Sequence, residues 1–397
     1  MKGLRDRILL AANLEAGQGG SPLSALWTFP AMIGCAFLVA WGAEAAEFLV
    51  SQGLALAILA LIQTLPEFAV EAVIAWKAGK NPPMVHLAIA NFTGSLRLLT
   101  GLGWPMIYAV AAFYSRRKGR RLRTIHLGDE HAVEVLGLLP PMAYFVWIWA
   151  KGSLSLIDSA VLATTYVVYL AILLRMPPRE EKEGEHAKLP AATRWALSYT
   201  GARRWGAVGL LLVGGGAVIY FVAEPFLTSM LALATAFGMS QFVFIQWVAP
   251  FLSEFPEKTS AFAWAKRITR APVALVNMVS SNINQWGILS GLLAVIYCWS
   301  HGSTDPLPFD GFQRSEILLT IVQAFLGWLF LASMDFEAYE AAGLFILWLV
   351  QFAVPSLRLP ILFVYGAWIV VEVTLVATGR KKLAAFAAFA RAWKAQR

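Results

Sequence analysis

The sequence predicts an all-α polytopic membrane protein with two inverted-topology repeats of about five transmembrane helices each and an extra C-terminal helix. Three observations lead to this prediction. Hydrophobic residues make up 58% of the 397 residues and charged residues only 14%, and the mean hydropathy is +0.63. The hydrophobic residues form blocks of roughly 20 residues, the length of helix that crosses a bilayer. A short motif with a proline and a carboxylate occurs once in each half of the chain.

The hydrophobic blocks define eleven candidate spans. In chain order they cover residues 28–49, 53–77, 84–114, 132–150, 154–174, 205–226, 231–264, 271–298, 314–333, 338–354 and 359–378. The third and seventh spans are too long for one straight crossing. We therefore expect them to tilt, to kink at Pro105, Pro250 or Pro256, or to begin outside the bilayer.

The charged loops set the expected topology. Cytoplasmic loops are rich in Lys and Arg, and six such residues lie between positions 116 and 123. With that loop in the cytoplasm, the basic residues at 266–270 and 380–382 are cytoplasmic too, whereas the 299–313 loop, which has no Lys or Arg, is outside. Because the net charge of +8 is concentrated in such loops, we expect a lipid bilayer and not nucleic acid as the partner.

The two halves meet at residues 175–204, a segment of mixed charge with few apolar residues that we expect to be a cytoplasmic linker. Residues 28–174 then form the first transmembrane repeat and residues 205–354 the second. Five spans per repeat is an odd number, so the second repeat inserts upside down, as in many secondary transporters. Residues 359–397 remain as an extra C-terminal helix with a basic tail. The predicted location is the cell membrane, with multiple crossings.

The duplicated motif places carboxylates deep in hydrophobic spans. It is Gln63-Thr64-Leu65-Pro66-Glu67 in the first half and Ser253-Glu254-Phe255-Pro256-Glu257 in the second. A carboxylate at that depth is costly and usually faces a cavity that serves transport. On a helix, residues three or four apart share a face, and a proline frees the carbonyl group four residues before it. Each motif therefore collects the hard oxygen ligands that suit Na⁺ or Ca²⁺.

A polar stripe follows each motif. Asn91 and Ser95 are four residues apart, and Asn277, Ser281 and Gln285 repeat that interval. Amide and hydroxyl oxygens can bind cations, but inside a bilayer these groups also form hydrogen bonds between helices. The duplication beside the two Pro-Glu motifs favours ion binding over the purely structural interpretation.

At these residues the chain resembles the sodium/calcium exchanger family of the cation/calcium antiporter superfamily. Its members carry two inverted repeats, each with a Gly-Thr-Ser-Leu-Pro-Glu-like segment followed by a Gly-Asn-x-x-Gly-Ser-Asn-like segment. The likeness covers roughly residues 40–114 and 220–298, and residues 237–240 are similar to a turn of the family. The resemblance implies that Glu67 and Glu257 are the central cation-binding residues. It implies further ligands at Gln63, Thr64, Asn91, Ser95, Ser253, Glu254, Asn277, Ser281 and Gln285.

The chain departs from the family pattern at Ile62 and Leu252, which replace a glycine, and at four positions that bear on the bound cation. These four are Leu96, Arg97, Leu99 and Lys258. Leu96 and Leu99 replace polar residues, and a fixed cation near a carboxylate can take the place of a metal ion. Arg97 lies about 200° around the helix from Ser95, so we expect it to point away from the stripe. It would then pair with Glu71 or another acid, or extend toward a membrane interface. Lys258 lies about 100° from Glu257 and can face either way.

The main functional hypothesis is a secondary active cation antiporter that exchanges Ca²⁺, or a similar cation, against Na⁺ or H⁺ by alternating access. Glu67 and Glu257 would hold either the cation or a proton. Glu44 and Glu71 are first interpreted as solvated acids at helix ends. A role in a gate or a proton path is the alternative for these two residues. There are two rival hypotheses: a transporter of protons, monovalent or organic cations, and a non-transporting scaffold or sensor.

The sequence shows no enzymatic motif. We expect no cofactor, only the transported cation as ligand, and the sequence does not predict an oligomeric state.

Overall fold

The computed structural model describes residues 21–46, 48–49, 64–175 and 189–394. The predicted ligand Gln63 lies outside the described residues, as does the first part of the predicted span 53–77. Within the described residues the protein is almost entirely helical. The helices are α1 (Ala25–Ala46), α2 (Leu65–Lys80), α3 (Val85–Leu98), α4 (Trp104–Arg117), α5 (Ala132–Gly137), α6 (Leu139–Lys151), α7 (Leu156–Leu173), α8 (Ala191–Leu197), α9 (Gly201–Ala236), α10 (Gln241–Ser253), α11 (Phe255–Ala265), α12 (Ala271–Asn284), α13 (Ser290–His301), α14 (Gly311–Leu331), α15 (Ala338–Ala353), α16 (Arg358–Ala377) and α17 (Ala384–Lys394).

The helices are organised in two compact units. The first unit comprises the described parts of Met1–Gly94, Pro177–Glu257 and Trp299–His301, and the second comprises those of Ser95–Met176, Lys258–Cys298 and Gly302–Arg397. Among the described residues, seven helical segments are long and apolar enough to cross a membrane, and α10 and α15 are shorter apolar helices. The prediction of an all-α polytopic membrane protein is therefore confirmed.

Most predicted spans coincide with helices to within a few residues, but the boundary between spans 205–226 and 231–264 is wrong. α9 continues past Pro225 to Ala236, and α10 begins only at Gln241. The chain turns at Gly238, whose φ of +65° suits a residue without a Cβ atom. The amide of Met239 donates to the Ala234 carbonyl oxygen at 2.8 Å and closes the helix end.

In the first unit, α1 packs along α9 through small residues. A Cβ atom added to Gly215 would lie 2.7 Å from a methyl carbon of Val39, and one added to Gly42 would lie 2.9 Å from Cβ of Leu211. Small residues let the backbones of membrane helices approach closely. α2 and α10 both pack against this helix pair, so it forms the scaffold that positions the two Pro-Glu motifs.

In the second unit, two short strand pairs join loops that are far apart in the sequence. β1 (Thr124–His126) pairs antiparallel with β4 (Asp335–Glu337), and β2 (Ser153–Leu154) pairs antiparallel with β3 (Leu307–Pro308). The predicted topology puts the loops that contain β1 and β4 on the cytoplasmic side and the loops that contain β2 and β3 outside. Each pair therefore joins loops that are expected on the same side, and which side faces the cytoplasm stays a prediction.

Candidate cation-binding site

Both Pro-Glu motifs lie where a helix begins. α2 starts at Leu65 and α11 starts at Phe255. The preceding residues, Thr64 and Glu254, occupy the same place in the two motifs and have nearly the same backbone conformation, with φ and ψ of −89° and 0° for Thr64 and −94° and 6° for Glu254. These angles lie in the sparsely populated bridge region, where many active-site residues occur. The duplication seen in the sequence is thus also present in the backbone.

The two prolines lie in first helical turns, which corrects the expectation of a kink inside a continuous helix. In the second motif α10 ends at Ser253 and a new helix follows. A proline is tolerated there because the first N–H groups of a helix have no intrahelical acceptor. As a result, Glu67 and Glu257 both lie in the first turn of a helix. The backbone N–H groups of a first helical turn and the helix dipole favour a negative charge at this position.

The first unit buries four carboxylates within apolar helices. Each is at most 3% exposed: Glu67, Glu71, Glu254 and Glu257. Thr64 and Ser253, from the same motifs, are buried too, and Ser253 Oγ donates to the Ala249 carbonyl oxygen at 3.0 Å. Burying an ionised carboxylate is expensive unless hydrogen bonds or a cation compensate it, and otherwise the group takes up a proton. This part of the unit is therefore suited to hold cations or protons.

Glu71, which the sequence analysis first interpreted as a solvated acid, is buried. Its Oε2 accepts a hydrogen bond of 2.5 Å from Asn91 Nδ2, which links α2 to α3. Its Oε1 is buried and forms no hydrogen bond with any of the described residues. A signal was present in the sequence, because Glu71 follows Glu67 by four residues and so shares its helix face.

Gln246 is a second buried polar residue that the sequence analysis missed. It lies on α10, and its Nε2 donates to Thr93 Oγ1 on α3 at 3.3 Å. The two helices meet at Gly94, where an added Cβ atom would overlap the backbone carbonyl oxygen of Gln246. Only glycine allows this approach. The available signal was the spacing of seven residues, about two helical turns, between Gln246 and Ser253 of the motif.

In the second unit, both polar stripes end in the same backbone irregularity. α3 continues into a π-helical turn at Leu99–Gly103, and α12 continues into one at Gln285–Leu289. The first turn begins four residues after Ser95 and the second four residues after Ser281. Both serines and Gln285 are fully buried. Because π-helical turns are rare and frequently mark functional sites, their duplication supports a functional role for these stripes.

Other residues of the second stripe contact backbone groups of the same unit. Ser281 Oγ donates to the carbonyl oxygen of Asn277 at 3.4 Å, and Asn277 is half-buried. Asn282 Nδ2 donates to the carbonyl oxygen of Leu96 at 3.4 Å, which places α12 beside α3. The amide oxygen of Asn282 is buried and accepts no hydrogen bond from any described residue. It remains available as a neutral ligand.

Arg97 belongs to a buried network in the second unit. Its Nη2 lies 2.5 Å from Glu316 Oε2, and its Nη1 donates to Gln351 Oε1 at 3.1 Å. Arg358 pairs with the other oxygen of Glu316 at 3.0 Å, and Gln323 donates to the carbonyl oxygen of Arg97 at 3.0 Å. The expected ion pair of Arg97 is therefore confirmed, but its partner is Glu316 and not Glu71. The network connects α3 to α14, α15 and α16.

The other departures from the family pattern that bear on the bound cation are buried. Leu96 and Leu99 are almost completely enclosed in the second unit, and Lys258 is buried on α11 directly after Glu257. The leucines present apolar surface where the family pattern implies oxygen or nitrogen atoms. The second unit therefore offers fewer polar groups to a cation than the resemblance suggests.

The predicted ligands divide between the two units. The first unit contains Thr64, Glu67, Asn91, Ser253, Glu254 and Glu257, and the second contains Ser95, Asn277, Ser281 and Gln285. Within the ranges that the structure describes, no three His, Cys, Asp or Glu side chains cluster closely enough to hold a metal ion by themselves. A cation bound by these residues would also need neutral oxygens from hydroxyl, amide or backbone groups.

Comparison with known proteins identifies the family. The family model described as sodium/calcium exchanger protein matches residues 21–175 and 207–356. None of the curated proteins compared matches the chain. Among solved structures, the H⁺/Ca²⁺ exchanger CAX is similar, with 28% identity and a TM-score of 0.82 over 99% of this chain and 96% of that chain.

The sodium-calcium exchanger NCX_Mj, from crystals soaked with 100 mM Na⁺ and 10 mM Sr²⁺, is also similar. It has 18% identity and a TM-score of 0.55, and the match covers 87% of this chain and 99% of that chain. At this identity the match shows the fold alone. Because the family model covers both predicted repeats, the chain belongs to the sodium/calcium exchanger family and is a polytopic membrane cation antiporter, not an enzyme.

Proposed function

We propose that this antiporter exchanges Ca²⁺ against H⁺ across the cell membrane. The observation that carries the proposal is the buried pair of Glu71 and Asn91. A neutral amide stabilises a carboxylate less than a cation does, so a buried acid with this partner favours either a proton or a bound metal ion. The similarity to the H⁺/Ca²⁺ exchanger CAX over 99% of the chain supports the choice of H⁺.

Glu67 and Glu257 are proposed as the residues that bind Ca²⁺ and release protons. Both are buried in first helical turns, where backbone N–H groups stabilise the ionised form when Ca²⁺ arrives. In the first unit, Thr64, Asn91, Ser253 and Glu254 are proposed as further ligands, together with Gln63 outside the described residues. In the second unit, Ser95, Asn277, Ser281 and Gln285 are proposed as ligands as well.

The composition of the second unit disfavours Na⁺ as the counter-ion. Sodium is held by several oxygen atoms at once, whereas a proton needs only one carboxylate. Leu96 and Leu99 remove two polar positions from this unit and are both buried. A site with fewer neutral oxygens loses more affinity for Na⁺ than for H⁺. Competition between Ca²⁺ and protons for the same carboxylates then couples their movements in opposite directions.

The repeat boundaries are proposed together with this function. Residues 28–174 form the first repeat, residues 175–204 a cytoplasmic linker, residues 205–354 the second repeat, and residues 359–397 an extra helix with a basic tail. The matched ranges of the family model, 21–175 and 207–356, support this division.

Transport by the purified protein tests the proposal. The full chain is reconstituted in liposomes, and ⁴⁵Ca²⁺ uptake is measured with a pH gradient, with a Na⁺ gradient, or with neither. We expect uptake with the pH gradient only, and its loss in Glu67→Gln and Glu257→Gln. Glu130→Gln is the matched control, because Glu130 is an exposed acid outside the proposed ligands. Uptake with a Na⁺ gradient alone would disprove the choice of H⁺, and undiminished uptake in Glu67→Gln would disprove the role of that residue.

A transporter of protons and monovalent cations is the second candidate. The observation that favours it is the burial of Lys258 directly after Glu257. A positively charged side chain near a carboxylate disfavours the binding of a divalent cation more than that of a monovalent one. If neither gradient drives Ca²⁺ uptake, pH-gradient-driven ⁸⁶Rb⁺ or ²²Na⁺ uptake that gives way to Ca²⁺ uptake in Lys258→Gln would support this candidate.

A further inference from the structure

The end of α4 carries a pocket that is separate from the residues discussed above. Its volume is about 280 Å³. It is lined by Ala109, Ala112, Phe113, Arg116, Arg121 and Leu122, all of which belong to the second unit. The lining thus consists of four apolar residues and two arginines. This composition suits an amphipathic ligand with an anionic group.

The apolar part of the lining is one face of a membrane helix. Ala109, Ala112, Phe113 and Arg116 follow the spacing of residues that share a helix face. Ala109 and Phe113 are exposed in the protein, and α4 ends a segment, Pro82–Arg117, that is long and apolar enough to cross a membrane. A face of this kind meets lipid chains. Because the alanines are small, they leave a groove beside Phe113.

The two arginines of the pocket, Arg116 and Arg121, lie at the end of this apolar face. Arg116 is in the last turn of α4, and Arg121 comes from the following loop. Both are exposed. From residue 115 to residue 123 the chain has six Lys or Arg residues and no Asp or Glu. The pocket therefore has an excess of positive charge at the end of a helix of membrane-spanning length, where we expect the phosphate groups of a bilayer.

The loop that carries Arg121 is held in place by hydrogen bonds. The hydroxyl group of Tyr108 donates to the carbonyl oxygens of Leu122 and Arg123, at 3.1 and 2.9 Å. Ser115 Oγ donates to the carbonyl oxygen of Arg120 at 3.1 Å, and the Arg120 amide donates to the Ser115 carbonyl oxygen at 3.1 Å. The backbone is therefore fixed on both sides of Arg121, whose side chain lines the pocket together with Arg116.

A second basic loop lies on the same face of the unit. Lys266, which follows α11, has its ammonium group 5.7 Å from the ring centre of Tyr114 on α4, and the short helix Ile268–Arg270 packs against α4 as well. Both loops are predicted to be cytoplasmic. The cytoplasmic leaflet contains anionic lipids, and basic residues at its surface attract them.

We propose that this pocket binds one anionic phospholipid of the cytoplasmic leaflet. The phosphate group interacts with Arg116 and Arg121, and one acyl chain lies along Ala109, Ala112 and Phe113. A free phosphate ion would use the arginines but not the groove. The arginine pair and the groove together therefore identify a lipid. This site is independent of the ion that the protein transports.

Native mass spectrometry of the full chain in detergent tests the proposal. The probes are phosphatidylglycerol, phosphatidylcholine and inorganic phosphate. We expect one phosphatidylglycerol to bind preferentially and the double variant Arg116→Gln/Arg121→Gln to bind it on the order of 30-fold more weakly, since each basic residue at an anionic surface contributes roughly fivefold. Ala112→Phe fills the groove without changing the charge, and we expect it to weaken binding too.

The control is Arg380→Gln/Lys382→Gln, which removes the same charge from exposed positions after α16. We expect it to retain the preferential binding. The proposal is overturned if this control loses as much affinity as the arginine pair, if Ala112→Phe binds normally, or if inorganic phosphate displaces the lipid. Each variant must keep the elution volume and melting temperature of the parent protein. Should the arginine variant not fold, Ala112→Phe decides the question.

Discussion

Arg97 and Glu316 form an ion pair of 2.5 Å, and their side chains are 0% and 3% exposed. The two residues are 219 positions apart in the sequence. Glu316 also binds Arg358 at 3.0 Å, so one carboxylate serves two buried guanidinium groups. The arrangement fixes α3, which carries the first polar stripe, to α14 and to the extra helix α16. The C-terminal helix is thus an integral part of the second unit.

The two sides of this ion pair are expected to respond unequally to mutation. Glu316→Gln removes the negative charge from both arginines, whereas Arg97→Gln leaves Glu316 paired with Arg358. Breaking a buried ion pair typically costs about 3–5 kcal/mol. We therefore expect Glu316→Gln to lower the free energy of unfolding by about that amount and Arg97→Gln to lower it less. Thermal unfolding in detergent measures both, and Arg391→Gln, which removes an exposed ion pair, is the control that we expect to change stability little. The reverse order for Glu316 and Arg97 would contradict the assigned network.

Gly94 provides a test of the contact between α3 and α10. A Cβ atom at this position would overlap the backbone carbonyl oxygen of Gln246, which cannot move as a side chain can. We expect Gly94→Ala to destabilise the protein by about 1–3 kcal/mol, the usual cost of overpacking. The matched control is Gly214→Ala, because an added Cβ atom meets nothing within 4 Å there. Equal melting temperatures for the two variants would show that the helices are not in contact at Gly94.

Glu71 provides a test that separates structure from proton binding. Gln in this position can still accept the hydrogen bond from Asn91, but it cannot exchange a proton. We expect Glu71→Gln to keep the melting temperature of the parent protein and to weaken the dependence of Ca²⁺ uptake on pH. Asn91→Ala instead leaves a buried carboxylate without its amide donor and is expected to cost about 1–3 kcal/mol of stability. A pH profile of uptake that is identical in Glu71→Gln and the parent protein would exclude Glu71 from proton transfer.

The fold was largely predictable because hydrophobic blocks of membrane length leave few alternatives. The ends of α14, α15 and α16 follow directly from such blocks. The boundary after residue 226 was wrong because α9 continues through Pro225 to Ala236. Membrane helices tolerate proline, and the true end is set by Gly238, whose positive φ does not show in a hydropathy pattern.

The site was predictable only in part, because duplication identifies residues but not their partners. The burial of Glu67 and Glu257 could be predicted because both follow a proline in matching motifs within hydrophobic spans. The sequence correctly predicted an ion pair for Arg97. Its partner could not be deduced, since Glu316 is one of several acids at comparable distance in the sequence. Glu71 was missed because a single acid near a span end gives no measure of its burial.

Lys381, just after the extra helix α16, forms a second set of buried ion pairs that contributes to stability. Lys381 Nζ lies 2.8 Å from a carboxylate oxygen of both Glu340 and Glu372. Lys381→Met removes the shared cation from two buried acids. We therefore expect a loss of about 3–5 kcal/mol at neutral pH, whereas Lys381→Arg retains the charge and loses less.

The pH dependence of this contact follows from the pKa of Lys381. Burial opposes the charged amine, but the carboxylates of Glu340 and Glu372 outweigh that effect and raise the pKa of Lys381 above its ordinary value. A raised pKa means that the stabilisation is complete below the ordinary amine value of about 10.4 and is lost as the pH rises through the higher folded value. In thermal unfolding from pH 8 upward, the gap between the parent protein and Lys381→Met is therefore expected to narrow only above about pH 10. A gap that closes between pH 8 and pH 9 would mean that Lys381 is not held as a charged group between the two acids.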